Sequence, residues 1–278
     1  MICREQDGAF VMVKQHEHGR LAGEFAQWFK EEHVPEGNRR AEVLRAVSNH
    51  DRGWIDLDET PFWNDAAGAP YSFIDFPVVP KLTFYKRGLN EIEADTPYGA
   101  LLCSLHFERL IEVSGEDCPE LTAYLKDEEE RRARIHRDLE KNQPIGEGEL
   151  YYDARLLQFS DDLSLYLALN EPGSPKSEEH PWWKDGFSGS EDFSFTSGRL
   201  ISAEWQDAST LMLDPFPFTR DVEVAMVLRK VSKKEIASKG IASAYSSAPE
   251  EECRITVTSR PKGGLIKRHG KRAHSGMN

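Results

Sequence analysis

Between Leu150 and Leu169 the chain reads LYYDARLLQFSDDLSLYLAL, an apolar helical pattern with two adjacent carboxylates set inside it. Asp161 has Ala154, Leu157, Leu165 and Ala168 four and seven residues away on either side, positions that share one face of an α-helix. Burying a carboxylate without a partner is costly, so a fold that accepts this helix must bring a cation or a full set of hydrogen-bond donors to Asp161. Asp162, beside Phe159, Leu165 and Tyr166, meets the same demand more weakly.

Groups able to meet that demand stand on other predicted helices. The dipeptide His50-Asp51 ends a helical pattern over 39–51, in which Val43, Leu44, Val47 and His50 line one face and Gly53 marks the stop. His18 is followed at helical offsets by Leu21, Ala22 and Phe25, which turns it inward on a helix over 17–32. His16, in the same QHEH cluster, offers a second imidazole or a helix cap. His106 sits among Leu102, Cys103, Phe107 and Leu110 on a helix over 98–113 and, taken alone, reads as a hydrogen-bonded core histidine.

Around these helices the pattern is mixed. AFVMVK at 9–14 reads as a short strand leading into the first helix. Residues 54–80 hold four prolines among aromatic residues, which suits an ordered loop packed by its own side chains. Helical spacing resumes near Lys81, and the charge-rich stretch 121–141 reads as an exposed, ion-paired helix. Beyond Asn170, Pro, Ser and Gly accumulate, and then RLISAEW, STLMLDP, VEVAMVLRKV and CRITVTS suggest strands of a small antiparallel sheet. From Ser259 onward there are six Lys or Arg and no acid, the composition of a disordered basic tail. This divides the chain into a helical metal-binding domain at 1–170, a small β-rich subdomain at 171–258 and a tail at 259–278, α+β overall but mainly helical.

A net charge of −13 argues against a general affinity for nucleic acid or anionic membrane. The four cysteines form no close pairs, the N-terminus MICREQDGAF lacks an apolar leader, and no run is long enough to span a bilayer. The expectation is a cytoplasmic protein without membrane or nucleic-acid partners, acting on a small molecule.

A His, then an adjacent His-Asp about thirty residues on, then an Asp within an LxxxxDxL helix, resembles the HD-domain metal-dependent phosphohydrolases over roughly residues 15–170. That resemblance implies a helical bundle and assigns His18, His50, Asp51 and Asp161 as metal ligands, with His106 similar to the extra histidines of two-metal members and His16 a further candidate. More closely, QHEHGRLAGEF, NHDRGW, YSFIDFP, SLHF and LLQFSDDLSLYL resemble a bacterial family with no assigned activity, over most of the chain. That second likeness names no substrate.

Imidazole and carboxylate ligands suit Zn, Mn, Fe or Ni. An ion so held lowers the pKa of its water and neutralises a phosphoryl oxygen, so the expected activity is hydrolysis of a nucleotide or other small phosphoester. Asp51 and Arg52 are the residues given a catalytic part. Arg20, Lys81 and Arg87 are candidates for a substrate phosphate, and Trp54 and Tyr71 for a flat group. Two alternatives stand beside this reading: a di-iron oxygenase built on the same ligands, and a non-catalytic regulatory protein whose histidines are hydrogen-bonded core residues.

Overall fold

The computed structural model describes residues 1–30, 39–146 and 148–259. The chain opens with β1 (Ile2–Gln6) and β2 (Ala9–Val13), followed by α1 (Gln15–Trp28), α2 (Arg40–Asn49), a 3₁₀ turn (Arg52–Trp54) and α3 (Ile55–Asp58). A two-stranded ribbon of β3 (Trp63–Asn64) and β4 (Ala69–Pro70) precedes the four long helices α4 (Val78–Asp95), α5 (Pro97–Ser114), α6 (Pro119–Asn142) and α7 (Glu149–Leu169). After a run of short 3₁₀ turns come β5 (Ser202–Asp207), β6 (Thr210–Asp214), β7 (Val222–Ser232), α8 (Lys233–Lys239), α9 (Ile241–Ser247) and β8 (Glu250–Thr258).

The expectation of a mainly helical HD-like bundle with a small C-terminal antiparallel sheet does not hold. Six strands form one mixed, curled sheet in the order β1-β2-β7-β8-β6-β5, with β6 parallel to β8. Two causes enlarge it. Asp7 and Gly8 both take positive φ, 50° and 75°, the conformation of a tight hairpin turn that folds β1 back on β2. β7, eleven residues long, then pairs with β2 as well as β8 (Phe10 opposite Val231), a pairing across the whole chain that local periodicity does not encode.

Strand alternation gives the sheet two different faces. Ile2, Val11, Val13, Val222, Val224, Met226 and Leu228 join the main core with the helices, whereas Met1, Phe10, Met12 and Val231 form a second, smaller core under Ile236 of α8 and Ala244 and Tyr245 of α9. α1 lies between β7 and the helices α2 and α7, and α7 also packs on α5. With Leu156, Leu157, Phe159, Leu163, Tyr166 and Leu167 all buried, α7 is covered on nearly every side; each such large apolar side chain contributes about 1.5–3 kcal/mol.

α6 departs from the solvated helix expected of its charges. Glu128 and Arg131 are buried on its inner face, where Arg131 Nε donates to Glu128 at 3.0 Å, Arg131 Nη2 donates to Asn90 at 2.6 Å and Ser104 Oγ donates to Glu128 at 3.0 Å. The expected basic tail, apart from Ser259, lies outside the described residues.

Candidate metal centre

Three helices and one helix terminus deliver the central residues. His18 is on α1, His50 is the residue that ends α2, Asp51 begins the 3₁₀ turn, His106 is on α5 and Asp161 is midway along α7. The His18 and His50 rings are 5.1 Å apart between centroids, and those of His50 and His106 are 5.4 Å apart. All five residues are at least 94% buried. Two overlapping groups, His18/His50/Asp51 and His50/His106/Asp161, each place one ligand atom per residue within 4.8 Å of the others.

The hydrogen bonds behind these rings fix which nitrogen faces inward. Ser164 Oγ donates its proton to the Asp161 carbonyl at 2.8 Å, so toward His18 Nδ1, 2.8 Å away, it can only accept, and Nδ1 carries the hydrogen. His50 Nδ1 lies 2.7 Å from the Val47 carbonyl, a pure acceptor, and is likewise the protonated nitrogen. Both Nε2 atoms therefore point at carboxylates: His18 at Asp51 Oδ2, 2.8 Å, and His50 at Asp161 Oδ1, 3.2 Å, and Asp51 Oδ2, 3.7 Å. A lone pair facing a carboxylate at such distances is repulsive unless a cation or proton lies between. Gln15 Nε2 adds a hydrogen bond to Asp51 Oδ2 at 2.9 Å.

The titration behaviour follows from this geometry. Burial pulls His50 down, but Asp51 and Asp161 outweigh it and hold the imidazole up at about 9. Burial also opposes ionisation of the two carboxylates, yet the surrounding imidazoles carry both below the usual range. His106, whose Nε2 is 3.4 Å from Asp161 Oδ2, is pushed down to about 4 by burial. Asp162 is raised to about 7, by burial first and by Asp161 second, while it accepts from Trp183 Nε1 at 3.1 Å.

The other sequence candidates lie elsewhere. His16 belongs to neither group, and Arg20 is engaged by Glu17, Glu24 and the Ala225 carbonyl. Arg52 pairs with Glu91 at 2.6 Å, and Arg87 with Asp56 and Glu91. Trp54 is in the core against Phe76 and Tyr85, and Tyr71 packs on Phe76. Lys81 alone among the basic candidates lines the cleft of about 600 Å³ that opens onto His18, Asp51, His106 and Asp161. The same cleft is lined by a cation that the sequence reading passed over, Arg109, although its spacing of one helical turn from His106 placed the two on one face of α5.

Residues 1–233 match the family described as "Protein of unknown function (DUF3891)". The chain belongs to this family. The DUF3891 match takes in every residue of the cluster and the cleft, together with β1, β2 and all of β7. No curated protein and no solved structure matches the chain.

The donor set fits a divalent ion. Imidazole nitrogens and carboxylate oxygens are its ordinary ligands, and the ion-pair partners of Asp51 and Asp161 among the described residues are imidazoles alone. A divalent ion that displaced the His50 proton would compensate both buried carboxylates. Ser164, Val47 and Gln15 stand behind the ligand atoms as the outer hydrogen bonds that usually orient metal-binding side chains.

Proposed function

We propose that the chain is a metal-dependent hydrolase of a small phosphoester, with His18, His50, Asp51 and Asp161 holding a divalent ion in the ligand pattern of HD-domain phosphohydrolases, though not in their fold. The observation that carries the reading is the convergence of His18 Nε2 and His50 Nε2 on the Asp51 and Asp161 carboxylates, with each ring's Nδ1 engaged elsewhere, so that a metal ion could take the place of the proton between ring and carboxylate. An ion bound there supplies a water of lowered pKa and withdraws charge from a phosphoryl oxygen. Zn, Mn, Fe and Ni all suit the donors.

The chain's own residues do the rest. Ser164 and the Val47 carbonyl hold the two rings in one tautomer, Gln15 fixes the Asp51 carboxylate, and burial keeps bulk water from the ligand atoms. The cleft admits substrate from the side of Lys81 and Arg109. The net reaction adds one water across the ester: its oxygen joins phosphorus, the ester P–O bond breaks, and one water proton ends on the departing alcohol.

Elemental analysis of the purified chain and of His50→Ala and Asp51→Ala tests this, followed by a phosphoester screen with the metal found. The expected result is metal near one equivalent in wild type, trace metal in the variants, and turnover that follows the metal. Equal trace metal in all three, with no turnover above background, rejects the reading. The overlap of two three-residue groups at His50 favours one second reading, a di-iron oxygenase; two irons per chain and an absorbance change on exposure to oxygen decide for it.

A further inference from the structure

Large apolar side chains left in water mark contact surfaces when they gather in one place. Among the described residues six are exposed, and three of these, Ile74, Val113 and Trp182 at 45%, 75% and 50%, line the mouth of the metal-site cleft. They come from separate parts of the chain: the 71–77 loop, the last turn of α5 and the second 3₁₀ turn after α7 (Pro181–Trp183). Phe73 stands edge-on to Trp182 with centroids 6.3 Å apart, which extends the apolar rim.

Arg109 and Lys81 line the same cleft, and the side chain of neither forms a hydrogen bond or ion pair with a described residue. The contrast with Arg20, Arg52 and Arg87, each tied to carboxylates, is sharp. Arg109 is half-buried, and burial pulls its pKa below the usual value, so it stands partly desolvated with no counter-ion bonded to it among the described residues. It also lines a second cavity of about 480 Å³, which shares His106 with the cleft. A guanidinium presents paired N–H groups suited to two oxygens of one phosphate.

We infer that the preferred substrate is a phosphomonoester of an apolar, ring-bearing alcohol or phenol, its phosphoryl oxygens held by Arg109 and Lys81 and its ring laid against Trp182, Phe73, Ile74 and Val113. This rests on the hydrolase reading and adds the leaving-group chemistry to it. A strongly polar leaving group, such as a nucleoside, would leave its hydroxyl and base-edge groups facing this apolar rim.

The test measures binding of benzylphosphonate, which cannot be hydrolysed at its P–C bond, and of inorganic phosphate and a nucleoside monophosphate, to the metal-loaded full chain by calorimetry, with metal content determined on the same samples. Benzylphosphonate is expected to bind about tenfold more tightly than phosphate, the worth of one modest apolar contact surface. Trp182→Ala should abolish that preference without weakening phosphate, and Arg109→Gln should weaken both by about tenfold, as loss of a charge-assisted pair does. Both positions are outside the packed core, and unchanged melting temperatures establish that the variants fold. Metal bound with no preference for benzylphosphonate, a preference untouched by Trp182→Ala, or tighter binding of the nucleotide overturns the substrate class alone. Absence of metal from the wild-type chain after reconstitution overturns the hydrolase reading and this inference with it.

Discussion

His50 Nε2 lies 3.2 Å from Asp161 Oδ1 across 111 residues of sequence, while the opposite nitrogen of the same ring is held by the Val47 carbonyl. The ring is thereby locked with Nε2 toward a carboxylate whose ion-pair partners among the described residues are imidazoles, and the proton it carries there is the one a metal ion would displace. Asp161→Asn removes the charge while keeping the shape. Metal content of the purified variant should fall from about one equivalent to trace, and the rise in melting temperature on adding metal, several degrees for a ligand at ~100 times its Kd, should vanish. The metal-free variant should melt lower than metal-free wild type at neutral pH, because the protonated His50 ring loses its carboxylate partner. A variant that retains metal removes Asp161 from the ligand set.

The raised pKa of His50, about 9 without metal, predicts a pH dependence with a definite sign. A histidine whose folded pKa exceeds its unfolded value of about 6.5 stabilises the fold fully below that value, and the contribution is lost as pH rises through the folded pKa. Metal-free protein should therefore lose melting temperature between about pH 6.5 and pH 9. Because metal must displace this same proton, apparent metal affinity should rise over the same window. A melting temperature flat from pH 6 to 9 in the metal-free chain would falsify the assignment.

How much of this was legible beforehand depended on range. The helices carrying His18, His50, His106 and Asp161 were visible because apolar residues recur at helical spacing, and the buried Asp161 announced itself by its leucine neighbours. The sheet was underestimated because its extent is set by β2 pairing with β7, and nothing local to AFVMV or VEVAMVLRKV specifies that partner. The Asp7-Gly8 turn is a readable hairpin signal for β1, a strand that the sequence pattern of residues 1–8 was not used to assign. Arg52 and Arg87 looked free for a site because Arg52 meets Glu91, and Arg87 meets Asp56, only across distant stretches of sequence; the Arg87–Glu91 pair, one helical turn apart, was readable.

Gly53 and Gly88 tie the fold to the site. A Cβ on Gly88 would meet Gly53 N at 2.7 Å and Cα at 2.9 Å, and one on Gly53 would meet the Phe84 carbonyl oxygen at 2.3 Å. The obstacles are backbone atoms, so α4 must move away from the turn that follows Asp51. Gly88→Ala should cost about 1–3 kcal/mol of stability, the range for overpacking, and should weaken metal binding by shifting Asp51. Equilibrium denaturation with a metal titration checks both effects. Loss of stability with unchanged affinity would show that the turn keeps Asp51 in place unaided.

Asp153 offers a titration remote from the metal cluster. Its carboxylate is 3% exposed, accepts from Tyr98 Oη at 2.7 Å and is raised by burial to about 6. For a group with a folded pKa above its unfolded value of about 3.9, the favourable contribution is complete below pH 4 and disappears as pH rises through 6, where a buried anion has to be carried. Asp153→Asn keeps an oxygen to accept from Tyr98 and never ionises. Relative to wild type, the variant should gain on the order of 2 kcal/mol in stability between pH 4 and pH 8, with most of the gain near pH 5–6. Tyr98→Phe removes the donor that favours the anion and should move that midpoint upward. Denaturant unfolding of the three proteins across this pH range decides the matter: a stability difference independent of pH would mean that Asp153 titrates in the folded chain as it does in the unfolded one.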